Sequence, residues 1–409
     1  MPPEDVAVDS DSGGDLPHSH PHAHDWDLAR HVRRGVWIAV ASWAAMTLVA
    51  MVLLWPGSDR ADTVDDGVRV RAMVESVSVQ PCTGTSVDDL VDCRVLGLRV
   101  LSGPTANETT TIEQAVTSGA GRVPTVGDEL VLSLVDTADG TIYTFLDYER
   151  SSSLGVLVVL FAGVVLVFAR WRGLGALAGL GVSILVLVLF VLPALLDGSN
   201  PVLVAIVGAS VIAYASLYLA HGVNAATNVA LLSTLVSLAL TGLLAWVFVH
   251  AATLTGLSDE NALFLDALGV RIDPRGLLLA GVVIGSLGVL DDVTVTQVSA
   301  VGALRRSRPE ATASELYQHA IVVGRDHISS TVNTLFLAYA GAALPLLLLF
   351  SQTGRSVRDA ITSEAVAIEV VRTLVGSIGL IASVPISTWL AASLVSRADD
   401  GGAASVSAT

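Results

Sequence analysis

The stretch GSLGVLDDVTVTQVSAV, residues 285–301, joins two features that are hard to reconcile. Its glycine and aliphatic residues are typical of a helix that crosses a lipid bilayer. Two adjacent aspartates, Asp291 and Asp292, nevertheless stand in the middle of it. A carboxylate at membrane depth costs at least about 2.5 kcal/mol, so the carboxylates indicate a functional site or a protein-lined environment.

The rest of the chain is equally apolar. Of its 409 residues, 52% are hydrophobic and only 15% are charged, which excludes an ordinary soluble protein. Apolar runs long enough to cross about 30 Å of hydrocarbon recur, and the long runs select helices rather than a barrel. The sequence therefore predicts an all-α polytopic membrane protein. The expected eight spans are residues 36–55, 153–169, 174–196, 201–221, 226–251, 276–303, 327–350 and 370–393.

Arginines indicate how the spans are oriented, because short loops rich in basic residues stay cytoplasmic. Clusters precede the first span and follow the second and sixth: Arg30, Arg33 and Arg34; Arg170 and Arg172; Arg305, Arg306 and Arg308. Both termini are then cytoplasmic, in the cytoplasmic membrane of a bacterium. The net charge of −16 argues against nucleic acid as a partner. The lipid bilayer is the expected partner, and a homo-oligomer or an unidentified envelope protein would be another.

Composition divides the rest of the chain into segments. Residues 1–35 are predicted to be a disordered cytoplasmic tail, and residues 36–55 a retained signal-anchor helix without a cleavage site. Residues 153–395 form a seven-helix membrane domain, and residues 396–409 a second disordered cytoplasmic tail. Four histidines alternate in the first tail, where they either bind a metal weakly or are simply solvated. They are His18, His20, His22 and His24.

Residues 60–150 are the one sizeable polar segment, and the topology places them outside the cytoplasm. Four or five runs of alternating, β-branched residues, separated by turn signals, predict a small β-rich domain, an OB-like barrel or a sandwich. Both cysteines, Cys82 and Cys93, lie there. In an oxidising compartment we expect them to form a disulfide, with a reduced pair or a metal site as the alternatives.

Helical spacing sorts the polar residues of the sixth span onto two faces. Asp292 and Thr296 share one face with three glycines, whose spacing lets a neighbouring helix approach closely. Asp291 is rotated by about 100° and leads a second polar edge with Thr294 and Gln297. The first face is the more polar and glycine-rich of the two. The sequence therefore favours Asp292 as the functional carboxylate.

The seventh span carries a polar arc of its own, which includes Asp326 and Asn333. We predict that Asp292 and Asp326 face one another between the two helices and bind a proton or a divalent cation. The alternatives are that the hydroxyls only join helices and that Arg325 forms a structural ion pair. The candidate substrate- or ion-binding residues are Asp291, Asp292, Thr296, Arg325, Asp326, His327, Asn333 and Thr334.

Two strings, GVLDDV at 288–293 and GRDHISSTVNTLFLAYAG at 324–341, resemble the YibE/F family of bacterial multipass membrane proteins. The resemblance covers roughly residues 60–395. The residues that match the motifs of the family are Asp292, Gly324, Arg325, Asp326, Asn333, Thr334 and Tyr339. Asp291 departs from the family pattern, because an apolar residue is expected there. The resemblance implies a fold and a site but names no substrate.

Three classes of function fit these features. An ion- or proton-coupled transporter or channel would use the intramembrane carboxylates, and an envelope accessory or scaffold protein would use the external β domain. An intramembrane metal-dependent hydrolase is the third, but the sequence has no HExxH, GxSxG, GxGD or Walker A motif. We therefore expect no enzyme and no cofactor other than a proton or divalent cation, and rank the transporter first.

Overall fold

The computed structural model describes residues 30–57, 67–81, 92–115, 122–137, 140–258, 273–352 and 356–406. The chain forms two compact units, a helical unit of residues 1–57 and 174–409 and a sheet unit of residues 58–173. The four alternating histidines, His18, His20, His22 and His24, lie outside the described residues.

The sheet unit contains a five-stranded antiparallel sheet in the order β3-β2-β1-β4-β5. Alternating apolar residues such as Val70, Ala72 and Val74 fill its buried face. The edge strands β3 and β5 also contact each other, so the sheet curves into a half-barrel rather than forming half of a sandwich. The strands are β1 (Val68–Pro81), β2 (Asp92–Val100), β3 (Thr109–Ala115), β4 (Glu129–Thr137) and β5 (Gly140–Tyr148).

The described sheet contains one of the two cysteines. Cys93 is buried in β2 and is disulfide-bonded. The sequence has one other cysteine, Cys82, which lies outside the described residues. The pairing of the two stays a prediction.

Helices make up most of the rest of the described chain. They are α1 (Arg30–Leu53), α2 (Ser151–Val186), α3 (Leu192–Leu196), α4 (Pro201–His221), α5 (Ala225–Ala251), α6 (Pro274–Ser307), α7 (Ala313–Ala342), α8 (Leu344–Gln352), α9 (Val357–Thr362) and α10 (Glu364–Val406). A π-helical turn, Leu187–Val191, joins α2 to α3.

Within the described residues, six helical stretches are long and apolar enough to cross a membrane, or seven if α7 and α8, bent by 59°, count as one span. The chain is thus a multipass membrane protein. The predicted number was eight, and the difference lies in residues 151–196, which form one stretch of 46 residues. Arg170 leaves helical geometry inside this stretch, with φ 53° and ψ −130°. This arginine lies where the sequence predicted the loop between the second and third spans, residues 153–169 and 174–196.

Local capping signals explain where the helices of the helical unit begin. Asn200 and Asp273 each accept hydrogen bonds from backbone N–H groups of the first turn, and a proline follows each of them. Thr312 and Glu315 form a capping box at the start of α7. These caps satisfy backbone donors that the helix itself leaves free.

Helix α6 is the centre of the helical unit, since it packs against α4, α5, α7 and α10. Small residues allow close packing around it. A methyl group added at Gly379 of α10 would collide with the Thr241 hydroxyl of α5. One added at Gly324 of α7 would press on Val384 and on the Gln297 amide. The fold thereby brings polar side chains of several helices next to α6.

Candidate functional site

The two adjacent aspartates of α6 have different surroundings. Asp291 is half-buried against α4, where one of its oxygens accepts a hydrogen bond from the Ser216 hydroxyl at 2.9 Å. Its other oxygen, Oδ1, is buried and has no hydrogen-bond partner among the described residues. Asp292 is exposed on the neighbouring face of α6. The buried carboxylate is therefore the one that the sequence did not favour.

A row of buried polar side chains, here called the polar seam, continues from Asp291 through the helical unit. The hydroxyls of Thr234 on α5 and Thr294 on α6 are 2.6 Å apart, and Thr294 also donates to the Asp291 carbonyl. Further along α6, Gln297 accepts a hydrogen bond of 3.0 Å from Thr388 of α10. The polar seam consists of Asn228, Thr234, Ser237, Thr241, Asp291, Thr294, Gln297, Ser383, Ser387 and Thr388.

Several groups of the polar seam are buried without a partner in the described part of the chain. They include Asn228 Nδ2, Ser237 Oγ and Gln297 Nε2. A buried polar group that lacks a hydrogen bond costs about 1–3 kcal/mol, so such groups indicate places where water or an ion binds. The polar seam thus has spare donors and acceptors on both sides of α6.

A small cavity lies between α4, α5 and α6, one to two helical turns beyond Asp291. Its volume is about 20 Å³, and His221, Thr227 and Ser299 contribute polar groups to its lining. Val295 and Val298, which follow Asp291 on the same side of α6, also line it, together with Ala226 and Ala230 of α5. A cavity needs roughly 10–15 Å³ to hold a water molecule, so one fits here.

The structure does not bring Asp292 and Asp326 together as predicted. Gly324 marks the side of α7 that faces α6 and α10, because it packs on Gln297 and Val384. Asp326 follows two residues later and so lies about 160° around the helix axis. Both carboxylates are exposed. The sequence analysis turned the polar arc of α7 inward, and that direction is wrong, because the side of α7 that packs on α6 and α10 is the one marked by Gly324.

The other candidate residues are placed along α6 and α7. Thr296 and Thr334 donate to backbone carbonyls one turn earlier, so their hydroxyls bond within their own helices. His327 is half-buried, and its Nδ1 has no partner among the described residues. Arg325 and Asn333 are exposed. Whether any of these residues binds a ligand stays a prediction.

Two partners of the site were missed by sequence reasoning. Ser216 of α4 and Thr388 of α10 are hydroxyls in largely apolar helices, and only their neighbours across helix interfaces distinguish them from the other hydroxyls there. By contrast, the hydroxyls of α5 form a stripe that repeats at helical spacing, which is a signal within the sequence itself. Thr234, Ser237 and Thr241 of this stripe are fully buried.

Two larger cavities lie away from these carboxylates. One, of about 400 Å³, is lined by His250, Asp273 and Arg275 at the end of α5 and the start of α6. The other, of about 660 Å³, is in the sheet unit beside Tyr148 and Arg122. In neither cavity nor elsewhere in the described ranges do three His, Cys, Asp or Glu side chains form a group that could hold a metal.

Comparison with known proteins gives the family. Residues 157–397 match the family described as YibE/F-like protein. The chain belongs to this family. The matched region contains every residue of the polar seam and all of α4 to α9, whereas the five strands lie outside it. No curated protein and no solved structure matches the chain.

Proposed function

We propose that this YibE/F-like chain is a proton- or cation-coupled membrane transporter or channel, with Asp291 as its carboxylate site. The observation that carries the proposal is the free, buried Oδ1 of Asp291. A carboxylate in a low-dielectric environment is stabilised by a proton or a bound cation, since an isolated charge there is costly. A group that must be neutralised in this way is suited to binding and releasing either one.

The surroundings of Asp291 support the same proposal. The Ser216 hydroxyl holds one carboxylate oxygen in place, and the small cavity beyond the next turn has room for a water molecule. The unpaired Nδ2 of Asn228 and Nε2 of Gln297 are hydrogen-bond donors, so they can hold water molecules along α5 and α6 but do not coordinate a cation. Oxygen atoms of carboxylates, hydroxyls and amides are the ligands that hard cations prefer. A hydrated path to Asp291 would let an ion exchange with the aqueous phase.

A flux assay in proteoliposomes tests this proposal. Proton entry is followed with a pH-sensitive dye inside the vesicles, and cation entry with a panel of monovalent and divalent ions. We expect Asp291→Asn to reduce flux at least tenfold, because the amide cannot take up a proton or neutralise a cation. The matched control is Asp292→Asn, which makes the same change one residue away on the exposed face and should keep most of the flux.

Two outcomes would contradict the assignment. An equal loss in both variants, or a larger loss in Asp292→Asn as the sequence alone predicted, would show that Asp291 is not the distinct site. No flux in the wild type under any gradient, with correctly folded protein, would favour a non-enzymatic envelope scaffold. The exposed polar residues of α7 give that second candidate a specific basis, since a scaffold needs a surface for partners.

The membrane orientation is part of the proposal. We infer eight spans, with both termini cytoplasmic, the sheet unit outside, and α2 contributing two spans that meet near Arg170. The departure from helical geometry at Arg170 supports this division of the 46-residue stretch. An impermeant thiol reagent applied to intact cells after reduction should label the cysteines of the sheet unit. Labelling only after membrane rupture would mean that the sheet unit lies in the cytoplasm and that the inferred orientation is wrong.

A further inference from the structure

Helix α7 presents a row of exposed side chains to its surroundings, here called the outer arc. It consists of Val322, Asp326, Ser329, Asn333 and Phe336, all of them exposed. The spacings of 4, 3, 4 and 3 residues place these side chains along one line of a helix. Gly324 packs on the opposite side of α7, against α6 and α10. The outer arc therefore faces away from the rest of the helical unit.

Part of the outer arc lies at membrane depth. Gly324 lies beside Gln297, and Tyr339 beside Gly285, so α7 runs antiparallel to α6. Asn333 lies between these two levels, alongside the middle of the 34-residue α6. It is seven residues from Asp326, or roughly 10 Å further along the helix. An exposed amide at this level would face hydrocarbon.

Two polar side chains of the outer arc, Asp326 and Asn333, have no partner within the described chain, whereas the Ser329 hydroxyl donates to the Arg325 carbonyl of its own helix. Neither the Asn333 amide nor the carboxylate of Asp326 forms a hydrogen bond or ion pair there, and the neighbouring Arg325 guanidinium forms none either. Side chains of this kind are costly in contact with lipid tails. Another protein surface with matching groups would remove this cost.

We propose that the outer arc is an interface with a second copy of this chain. Copies in one membrane insert in the same direction, so a twofold axis along the membrane normal places α7 parallel to the partner's α7, residue by residue at equal depth. An amide is both donor and acceptor, so Asn333 can pair with the partner's Asn333. This interface does not depend on the proposed transport.

Charge complementarity supports a second copy in particular. Arg325 and Asp326 lie about 100° apart, on either side of the line through Val322 and Ser329. In a parallel pair of identical helices, residues on opposite flanks meet across the interface. Arg325 then faces the partner's Asp326, and Asp326 faces the partner's Arg325. The interface therefore contains two ion pairs at the same membrane depth. An unrelated partner would need this pattern by coincidence, whereas a twofold axis produces it directly.

Cysteine cross-linking of the full-length protein in native membranes tests the interface. We expect Ser329→Cys to give a disulfide-linked dimer on mild oxidation. The matched control is Thr334→Cys, which is also exposed but lies about 140° around the helix axis from Ser329 and should stay monomeric. The wild type gives the background from its own cysteines. Equal cross-linking at both positions, or at neither, would overturn the proposal.

Association measured in bilayers tests the chemistry of the contacts. Asn333→Leu should weaken the dimer about three- to tenfold, the range for polar contacts between membrane helices. Arg325→Asp and Asp326→Arg should each weaken it, and the chain that carries both changes should recover dimerisation because the ion pairs are restored in reverse. If the double variant is no better than the single ones, Arg325 and Asp326 do not pair between copies.

Discussion

The sheet unit and the helical unit differ in where their polar side chains lie. In the sheet, Val70, Leu98 and Leu132 are fully buried, while charged residues such as Arg99 and Glu75 remain in solvent. In the helical unit, Thr234 and Gln297 are fully buried, while leucine and valine side chains cover the outside. Water drives apolar groups inward, but lipid tails are as apolar as leucine and exert no such force between helices. The two units therefore depend on different interactions.

The largest expected effect is the loss of a core side chain in the sheet. Leu132→Ala removes a fully buried side chain of β4 and should cost about 2–5 kcal/mol of unfolding free energy. The control is Leu243→Ala on α5, where the side chain is 58% exposed and should contribute little. Hydrogen exchange of peptides from β4 and from α5 in the full-length protein measures both. Similar losses would mean that Leu243 is packed against protein.

A steric test in the helical unit comes next in size. Gly379→Ala places a methyl group against the Thr241 hydroxyl, where α10 meets α5, and should destabilise the unit by about 1–3 kcal/mol. Gly288→Ala on α6 has nothing within 4 Å of the added carbon and should be neutral or slightly stabilising. Unfolding of each variant in mixed micelles gives the comparison. The idea of tight packing at Gly379 fails if the two variants unfold alike.

The buried hydroxyls should have smaller, measurable couplings. A double-mutant cycle of Thr234→Val and Thr294→Val isolates the 2.6 Å contact between α5 and α6. Polar contacts between membrane helices average about 0.6 kcal/mol, with a maximum of about 1.7 kcal/mol. We expect a coupling free energy in that range from unfolding in micelles. A value near zero would show that each hydroxyl is satisfied by its own helix, since Thr234 also donates to the Ala230 carbonyl.

The smallest expected effect is electrostatic and lies in the sheet unit. The pKa of Asp128 is lowered below its ordinary value of 3.8, mainly by the hydrogen bond from the Thr125 backbone N–H and also by Arg122. A lowered pKa means that the folded state favours the charged form, so this stabilisation is present above pH 3.8 and disappears as the pH falls through the folded pKa.

Asp128→Asn tests this pH dependence. Because the Arg122 side of the ion pair is 68% exposed to water, which weakens the attraction, we expect the variant to lose less than about 1 kcal/mol at neutral pH. The difference from wild type should shrink below pH 4, where wild-type Asp128 also becomes neutral. Hydrogen exchange of β4 at several pH values measures it. A difference that grows in acid would mean that the sign of the shift is wrong.

The sequence predicted the apolar helices and the β-rich segment because these depend on local signals. Apolar length and twofold or helical periodicity act over a few neighbouring positions. The start of α7 was not predicted, since the expected span begins at residue 327 and the helix begins at Ala313. The break in helical geometry at Arg170 falls where an arginine pair interrupts an apolar run. Family membership followed from the motifs of α6 and α7 and was confirmed by the match over residues 157–397.

The rotation of each helix, by contrast, was decided by the tertiary structure. Asp291 and Asp292 differ by about 100° on α6, and nothing local indicates which of them faces α4 and the Ser216 hydroxyl. The same holds for α7, where periodicity gave a polar arc containing Asp326 but not its direction. Periodicity measures only the angles between residues of one helix. Which face of a helix points inward depends on the neighbours that pack against it, and those neighbours come from distant parts of the chain.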